Sequence, residues 1–221
     1  MTPVSGDPIT EERRLPDAAV GRLPVYLRAL TALQASGTET VSSDQLADLA
    51  GVNAAKVRKD LSHLGSYGTR GVGYAVEQLQ FQIARALGLS GDLPVAIVGL
   101  GNLGRALAGY RGFAPRGFRV VALFDNDPAL VGEQVGDLLV RHAGDLEQVC
   151  ADEKVAIGVV TVPVAAAQQA TDRLVAAGVR SILNFAGTVV SVPESVSMRQ
   201  VDLASELQIL SYHQQRIATT A

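Results

Sequence analysis

The stretch Pro94-Val95-Ala96-Ile97-Val98-Gly99-Leu100-Gly101-Asn102-Leu103-Gly104 decides the fold of this chain. It joins an apolar run, typical of a buried strand, to a G-x-G-x-x-G loop. In such a loop one glycine permits a tight turn, a second lets the backbone approach a pyrophosphate, and a third lets the following helix pack against the strand. The six residues from Gly99 to Gly104 are therefore predicted to contact a dinucleotide.

An acidic residue after the next strand strengthens this prediction. A second apolar run, residues 119–124, leads into Asp125, which stands about 20 residues beyond the glycines, the usual position of a ribose-binding acid. A carboxylate there accepts hydrogen bonds from both ribose hydroxyls and repels the additional phosphate of NADP, which favours NAD or NADH. The alternative is that Asp125 only caps the turn Asp125-Asn126-Asp127-Pro128.

Two further predicted strands, residues 156–161 and 180–185, extend a parallel sheet, with a helix over residues 165–177 between them. Ligands of open parallel sheets bind outside the carboxyl ends of the strands. This rule adds four residues to the predicted cofactor site: Thr161, Val162, Asn184 and Phe185. A plain core role is the alternative for Phe185.

The region before the sheet has the start and stop signals of a helix-turn-helix. Pro24 suits the first turn of a helix, and Ser42 with Gln45 fits a capping box that opens a second, short helix. Gly51 ends that helix, and Asn53 caps a third one.

The third helix turns its apolar side chains to one face and its basic side chains away from that face. The exposed face suits a DNA major groove, where basic side chains pair with phosphates or guanine edges and small ones allow close approach. The residues predicted to contact DNA here are Lys56, Arg58, Lys59 and Ser62, with His63 beside them. A solvated helix face is the alternative.

A glycine-rich segment, residues 65–74, follows this helix and is predicted to form a wing. Arg70 at its tip is suited to a minor groove, whose negative potential attracts arginine. A lid over a substrate is the alternative. The wing and the basic helix in series favour DNA binding.

Composition excludes several other classes of protein. The 221 residues carry a net charge of −3, suit two small domains and contain no apolar run near the ~20 residues of a membrane span. Because the N-terminus lacks the apolar core of a signal peptide, we expect a cytoplasmic protein with no membrane partner. Cys150 is the single cysteine, so no internal disulfide or cysteine zinc cluster can form and no metal is expected.

The closing helix, residues 203–217, is more apolar than a solvent-exposed terminal helix should be. Its predicted contact is a second subunit. A two-fold dimer also suits a palindromic operator, whose half-sites are spaced by the turn of the duplex. The apolar residues of this helix are Leu203, Leu207, Leu210 and Ile217.

Several motifs of this chain resemble those of the Rex family: Val57-Arg58-Lys59-Asp60-Leu61, Gly68-Thr69-Arg70-Gly71-Val72-Gly73-Tyr74, the loop 99–104, Ile182-Leu183-Asn184-Phe185-Ala186 and Val201-Asp202-Leu203. The resemblance runs from about residue 23 to residue 212. It implies a bacterial redox-sensing repressor, a homodimer that releases its operator when NADH occupies the Rossmann-like domains. NADH and NAD+ would be regulatory ligands, and the C-terminal helix would be exchanged between subunits.

The resemblance also implies a switch between the domains, matched here by Arg28, Tyr110 and Asp202. In the family an arginine of the first helix pairs with an aspartate near the exchanged helix of the partner, and the tyrosine belongs to the same network. Ordinary surface charges are the alternative for Arg28 and Asp202. The chain departs from the family pattern at Ser62-His63-Leu64-Gly65, where Tyr and Phe are usual, and at Gly187-Thr188, which replaces Pro-Val.

The expected fold is α/β, with a winged helix-turn-helix domain, a Rossmann-like parallel-sheet domain and a C-terminal helix. The expected boundaries are a mobile arm at 1–21, the DNA-binding domain at 22–90, the NAD(H)-binding domain at 91–201 and the dimerisation helix at 202–221.

An NAD-dependent oxidoreductase with an accessory helix-turn-helix domain is the rival hypothesis. Hydride transfer usually needs a positioned acid or base, most often histidine or lysine. His63, His142 and His213 do not cluster in sequence with the glycine loop. We therefore expect no enzymatic activity.

Overall fold

The computed structural model describes residues 15–65, 68–69 and 71–220, with side chains as far as Gln215. The chain forms two compact units that divide between Ser90 and Gly91. The first unit is mainly helical, and the second is built on a large parallel sheet.

The first unit contains a short antiparallel sheet and a set of helices. Its elements are α1 (Asp17–Val20), α2 (Leu23–Ala35), β1 (Thr40–Val41), α3 (Ser43–Ala50), α4 (Ala54–His63), β2 (Tyr74–Ala75) and α5 (Val76–Ala86). The helix α1 was not predicted and lies inside the segment expected to be a mobile arm, residues 1–21. The side chain of Ala19 in this helix is buried.

The predicted helix-turn-helix is confirmed, down to its caps. The side chain of Ser42 accepts the backbone N–H of Gln45 at 3.1 Å, and the side chain of Gln45 accepts that of Ser42 at 2.9 Å. Asn53 Oδ1 accepts the N–H of Lys56 at 2.8 Å. Gly51 ends α3 with the left-handed φ of 66° that favours glycine.

The predicted wing forms a tight turn that leads back to the helices. Thr69 and Gly73 make an antiparallel bridge, with N–H to carbonyl distances of 2.8 and 2.9 Å. The chain then enters β2, which pairs with β1 as in a winged helix. Arg70 lies outside the described residues.

The second unit contains the predicted Rossmann-like sheet. Its elements are β3 (Leu93–Val98), α6 (Asn102–Ala108), β4 (Phe118–Asp125), β5 (Gln134–Val135), β6 (Leu138–His142), α7 (Leu146–Asp152), β7 (Ile157–Val160), α8 (Val164–Ala176), β8 (Ser181–Asn184), β9 (Ser197–Gln200) and α9 (Leu203–Thr220). The strand order is β5-β6-β4-β3-β7-β8-β9, and every pair is parallel except β5 with β6.

Burial explains which strands the sequence reveals. In β3, Val95 and Ile97 pack into one core cluster and Ala96 and Val98 into another, so the whole strand is apolar. The strands β5, β6 and β9 were not predicted, because they lie toward the edges of the sheet and are partly exposed. One consequence is a correction: His142, placed in a connecting segment, is the last residue of β6.

Candidate nucleotide-binding and DNA-binding sites

Neighbouring strands of the sheet bring most of the predicted cofactor residues to one edge. The strand β3 lies between β4 and β7, and β8 lies beyond β7. Gly99, Asp125, Thr161 and Phe185 stand at or directly after the carboxyl ends of these four parallel strands. Tyr110 is the exception, because it follows α6 instead of a strand.

The glycine loop owes its shape to missing side chains. Gly99 has a left-handed φ of +99°, and a Cβ there would lie 2.9 Å from the carbonyl oxygen of Thr161. A Cβ at Gly104 would collide with the carbonyl oxygen of Gly99. Thr161 Oγ1 donates a hydrogen bond to that same carbonyl at 2.7 Å. Gly99 therefore makes the tight turn, and Gly104 lets α6 approach it closely.

Gly101 has a different environment, because a Cβ built there would meet no atom within 4 Å. Its backbone is exposed, as are Asn102 and Leu103, whereas Leu100 is buried. The pyrophosphate of a dinucleotide fits against such an open backbone, and a methyl group would occupy the same space. The loop thus fits the group that the sequence predicts.

Asp125 braces the glycine loop and its own turn. One carboxylate oxygen accepts the N–H of Leu100 at 2.6 Å, and the other accepts the N–H of Asp127 at 2.9 Å. The capping role given as the alternative is therefore present. The capping role still allows Asp125 to bind a ligand, because each carboxylate oxygen has a second lone pair that can accept a hydrogen bond from a ligand hydroxyl.

A cavity of about 230 Å³ opens beside the glycine loop and Asp125. The sequence did not predict most of its walls, which come from α8 and from the segment after β6. The lining residues are Val98, Gly99, Asp125, Asn126, Ala143, Leu146, Val162, Pro163, Ala166, Gln169, Ala170 and Arg173. Recognition of β6 as a strand would have pointed to Ala143 and Leu146 at its carboxyl end.

Two arginines, Arg105 on α6 and Arg173 on α8, each form a bidentate ion pair with a glutamate. Arg105 on α6 donates to Glu133 at 2.7 and 2.5 Å. Arg173, which lines the cavity, donates from Nε to Glu147 at 2.7 Å and from Nη2 to the same carboxylate. The hydrogen bonds lower the pKa of both glutamates. The arginine in the described wall of the cavity is thus already paired with an acid.

Asn184 shapes a loop and is fully buried. Its Nδ2 donates to the carbonyl of Thr188, and its Oδ1 accepts the N–H of Ala186, both at 2.9 Å. Phe185 is half-buried and packs against one of the core clusters, in line with the alternative given for it. A direct contact of either residue with a cofactor stays a prediction.

The side chains that an oxidoreductase would need are scattered. His142 Nδ1 accepts the N–H of Gly144 at 2.9 Å, His63 is on α4 and His213 on α9. Cys150 is buried, and burial raises the pKa of its thiol to about 11. In the part of the chain that the structure describes, no group of three or more His, Cys, Asp or Glu side chains lies together as a metal site requires.

The DNA-binding face predicted on α4 is exposed. Lys56, Arg58, Lys59 and Ser62 all face solvent, whereas His63 is half-buried. Arg58 Nη1 donates to Ser43 Oγ on α3 at 2.9 Å, and Ser62 Oγ donates to the carbonyl of Lys59 at 2.7 Å. The first bond directs the guanidinium along the helix-turn-helix surface.

The three predicted switch residues are divided between the two units. Arg28 is exposed on α2 of the first unit. Asp202 caps α9 in the second: its carboxylate accepts from Ser205 Oγ at 2.8 Å and from the N–H of Ala204 at 2.9 Å, and these bonds lower its pKa. Tyr110 is 52% exposed and stacks edge-on against Phe113, with ring centroids 5.0 Å apart.

In comparisons with known proteins, each unit matches a family model. Residues 14–62 match the family model described as "Putative DNA-binding protein N-terminus", and residues 91–188 match the CoA binding domain. No helix within the described ranges is long and apolar enough to cross a membrane.

Relatives match over nearly the whole chain. The redox-sensing transcriptional repressor Rex of Streptomyces griseus is 63% identical over 96% of this chain and 83% of its own length. Rex of Desulfitobacterium hafniense is 46% identical over 90% of this chain and 95% of its own. A crystal structure of RSP, a Rex-family repressor, in complex with β-NAD+ and operator DNA covers 94% of this chain and 95% of its own, with 35% identity and a TM-score of 0.88. The chain therefore belongs to the Rex family of redox-sensing transcriptional repressors.

Proposed function

We propose that this chain, as a homodimer, binds a palindromic operator through its winged helices and releases it when NADH is bound at the glycine loop. The observation that best supports this proposal is that one chain joins an exposed basic helix-turn-helix to a loop whose Gly101 faces open space. RSP has been crystallised with β-NAD+ and operator DNA and also with β-NADH, which supports NADH and NAD+ as regulatory ligands here. A cytoplasmic location suits such a regulator.

The nucleotide would lie across the carboxyl edge of the sheet. The loop from Gly99 to Gly104 would hold the pyrophosphate, and Asp125 would accept hydrogen bonds from the ribose beside the cavity. The carboxylate of Asp125 and the pairing of Arg173 with Glu147 both disfavour a 2′-phosphate, which supports NAD(H) over NADP(H). Thr161 and Val162 would approach the ligand from the end of β7.

Operator contacts would come from α4 and the wing. Lys56, Arg58 and Lys59 carry the charge for phosphates or guanine edges, and Ser62 is exposed on the same helix. Arg70 is proposed for the minor groove.

The dimer would form through α9. Leu203, Leu207 and Leu210 are 61%, 67% and 62% exposed, an apolar stripe that water would cover in a lone chain. Ile217, the remaining predicted contact, lies beyond the described side chains. A partner subunit covering this stripe, with the helices exchanged, would give the two-fold symmetry that a palindrome requires.

The switch would couple the two sites through the dimer. A ligand releases DNA only to the extent that it favours the released form, and a tenfold effect needs about 1.4 kcal/mol of coupling. Arg28 of one protomer and Asp202 of its partner would form the ion pair that differs between the two forms. An apolar surrounding of Tyr110 and Phe185 would disfavour the positive ring of NAD+.

A titration tests the proposal. NADH and NAD+ are each added to the full-length protein bound to a palindromic duplex selected from a random pool, and release is followed by fluorescence anisotropy. We expect release by NADH at lower concentration than by NAD+. Release by neither nucleotide would contradict the proposal. Turnover of NADH with a small carbonyl substrate, assayed separately, would favour the oxidoreductase instead.

A further inference from the structure

Asp60 is the one charged residue among the buried residues that the structure describes. It follows Arg58 and Lys59 on α4, but those two side chains face solvent whereas Asp60 is 2% exposed. Its carboxylate receives hydrogen bonds from Arg22 Nε at 2.6 Å, from Arg22 Nη2 at 2.7 Å and from the Tyr26 hydroxyl at 2.8 Å. Both donors lie at the start of α2, so this Arg22–Tyr26–Asp60 anchor joins α4 to α2.

The anchor keeps its charge at neutral pH. Burial raises the pKa of the Asp60 carboxyl, but the hydrogen bonds from Arg22 and Tyr26 and the charge of Arg22 outweigh burial and hold the pKa below its ordinary value. Burial and the bond to Asp60 raise the pKa of Tyr26 to about 12, so its hydroxyl stays a donor.

The apolar contacts of α4 are less directional than hydrogen bonds. Val57 and Leu61 are fully buried, but hydrophobic contact is non-directional. A bidentate pair between a guanidinium and a carboxylate is planar and directional. Because neighbouring residues of a helix differ by about 100° in direction, a modest rotation of α4 would turn Arg58 and Lys59 away from the bases they address.

We infer that Asp60 is a positioning residue for operator recognition: it fixes the rotation of α4 so that the exposed basic face meets the major groove in one orientation. This inference rests on the proposed operator binding. A purely stabilising Asp60 would change the folded fraction and weaken binding to all DNA alike. A positioning Asp60 would change the preference for operator over unrelated DNA.

The test compares three variants of the full-length protein. Asp60→Asn keeps the size but removes the charge, and Arg22→Lys keeps the charge but replaces the planar fork with a single ammonium. Tyr26→Phe is the mildest of the three changes to the anchor, because it keeps the ion pair and the ring and removes one hydrogen bond. Dissociation constants are measured for the selected palindrome and for a scrambled duplex of equal length and composition, below the melting transition of each variant.

We expect Asp60→Asn to lower the ratio of operator to scrambled affinity by about tenfold, and Arg22→Lys to lower it by a smaller factor in the same direction. Tyr26→Phe should stay within about twofold of the wild type. If Asp60→Asn does not fold, the affinity ratio of Arg22→Lys tests the inference. A ratio unchanged in the variants that fold would make the anchor a stabiliser only and overturn the inference. A wild type that prefers no duplex would instead overturn the proposed function, and this inference with it.

Discussion

The recognition surface of α4 and the glycine loop after β3 are positioned by opposite means. The proposed recognition surface on α4 consists of long side chains, and the buried Arg22–Tyr26–Asp60 anchor joins this helix to α2. The loop acts through backbone, and its shape depends on side chains that are missing at Gly99 and Gly104. Each side chain of the α4 surface can therefore be removed without moving the others. A substitution at Gly99 or Gly104 moves the backbone of the whole glycine loop.

This difference predicts how each surface tolerates substitution. Removing one exposed cation from α4 should delete one proposed contact with DNA and leave the helix in place. Adding one methyl group inside the loop moves the backbone that every other contact uses. The largest effects are therefore expected from the smallest changes, at the glycines.

Gly104→Ala should have the largest effect. The new Cβ collides with the carbonyl oxygen of Gly99, so α6 must move away from β3. We expect a loss of about 3 kcal/mol in the stability of the second unit and NADH binding weakened about 100-fold, measured by thermal melting and isothermal titration calorimetry.

Gly101→Ala is the matched control for that change. Its Cβ meets no atom of the protein within 4 Å, and its φ of −64° is open to any residue. We expect an unchanged melting temperature with weaker NADH binding. Equal melting temperatures for both variants would contradict the assignment of the helix-packing role to Gly104.

Asp125→Ala should have the next largest effect, and the nucleotide used as probe separates its two roles. Loss of the ribose contact weakens NADH binding by about 30-fold, whereas NADPH, which the carboxylate repels, loses less. Loss of the bonds to Leu100 and Asp127 affects both nucleotides equally. We expect the NADH to NADPH affinity ratio to fall. A constant ratio would leave Asp125 with its capping role alone.

The sequence predicts these two surfaces well where the determinants are local. The capping residues Ser42 and Asn53 act on backbone within a few residues of themselves, and Gly104 acts on Gly99, five residues before it, so their spacing carries the information. Central strands are equally visible, because both faces of β3 are buried and the run is continuously apolar.

Long-range determinants were missed for a physical reason. Asp60 is the lone acid on a basic helix, and a pattern of that kind indicates solvent exposure. Its partner Arg22 is 38 residues away, so only the folded unit shows that the carboxylate is buried and paired. The cavity residues Gln169 and Arg173 were missed in the same way, because α8 reaches the site only once the sheet has formed.

Arg58→Ala should weaken operator binding about tenfold and reduce the dependence of log Kd on log salt by about one unit, because one cation no longer displaces counterions from DNA. Ser43→Ala is the control: it removes the hydroxyl that accepts from Arg58 Nη1 but keeps the charge. We expect its salt dependence to equal that of the wild type and NADH affinity to be unchanged in both. A drop in NADH affinity for Arg58→Ala would show that the two surfaces are not separable.

Tyr26→Phe should have the smallest effect on binding, and its effect on the pH dependence of stability should be seen in alkali. The pKa of Tyr26 is about 12 in the folded chain and about 10 in an unfolded one, so its contribution to stability is complete below pH 10 and is lost as pH rises from 10 through 12. The glycine loop, residues 99–104, has no ionisable side chain, so no such loss originates there. Hydrogen exchange of α2 and α4 at pH 8 and pH 11 measures the difference.

The wild type should lose more protection in α2 and α4 between these pH values than Tyr26→Phe does. Tyr74, whose pKa burial also raises, supplies the control Tyr74→Phe, because it belongs to the same unit but lies outside the anchor. Between pH 8 and pH 11, Tyr74→Phe should therefore lose more protection in α4 than Tyr26→Phe does. If the two variants lose protection equally, the proton on Tyr26 does not hold α4 against α2, and the anchor reduces to the ion pair between Arg22 and Asp60.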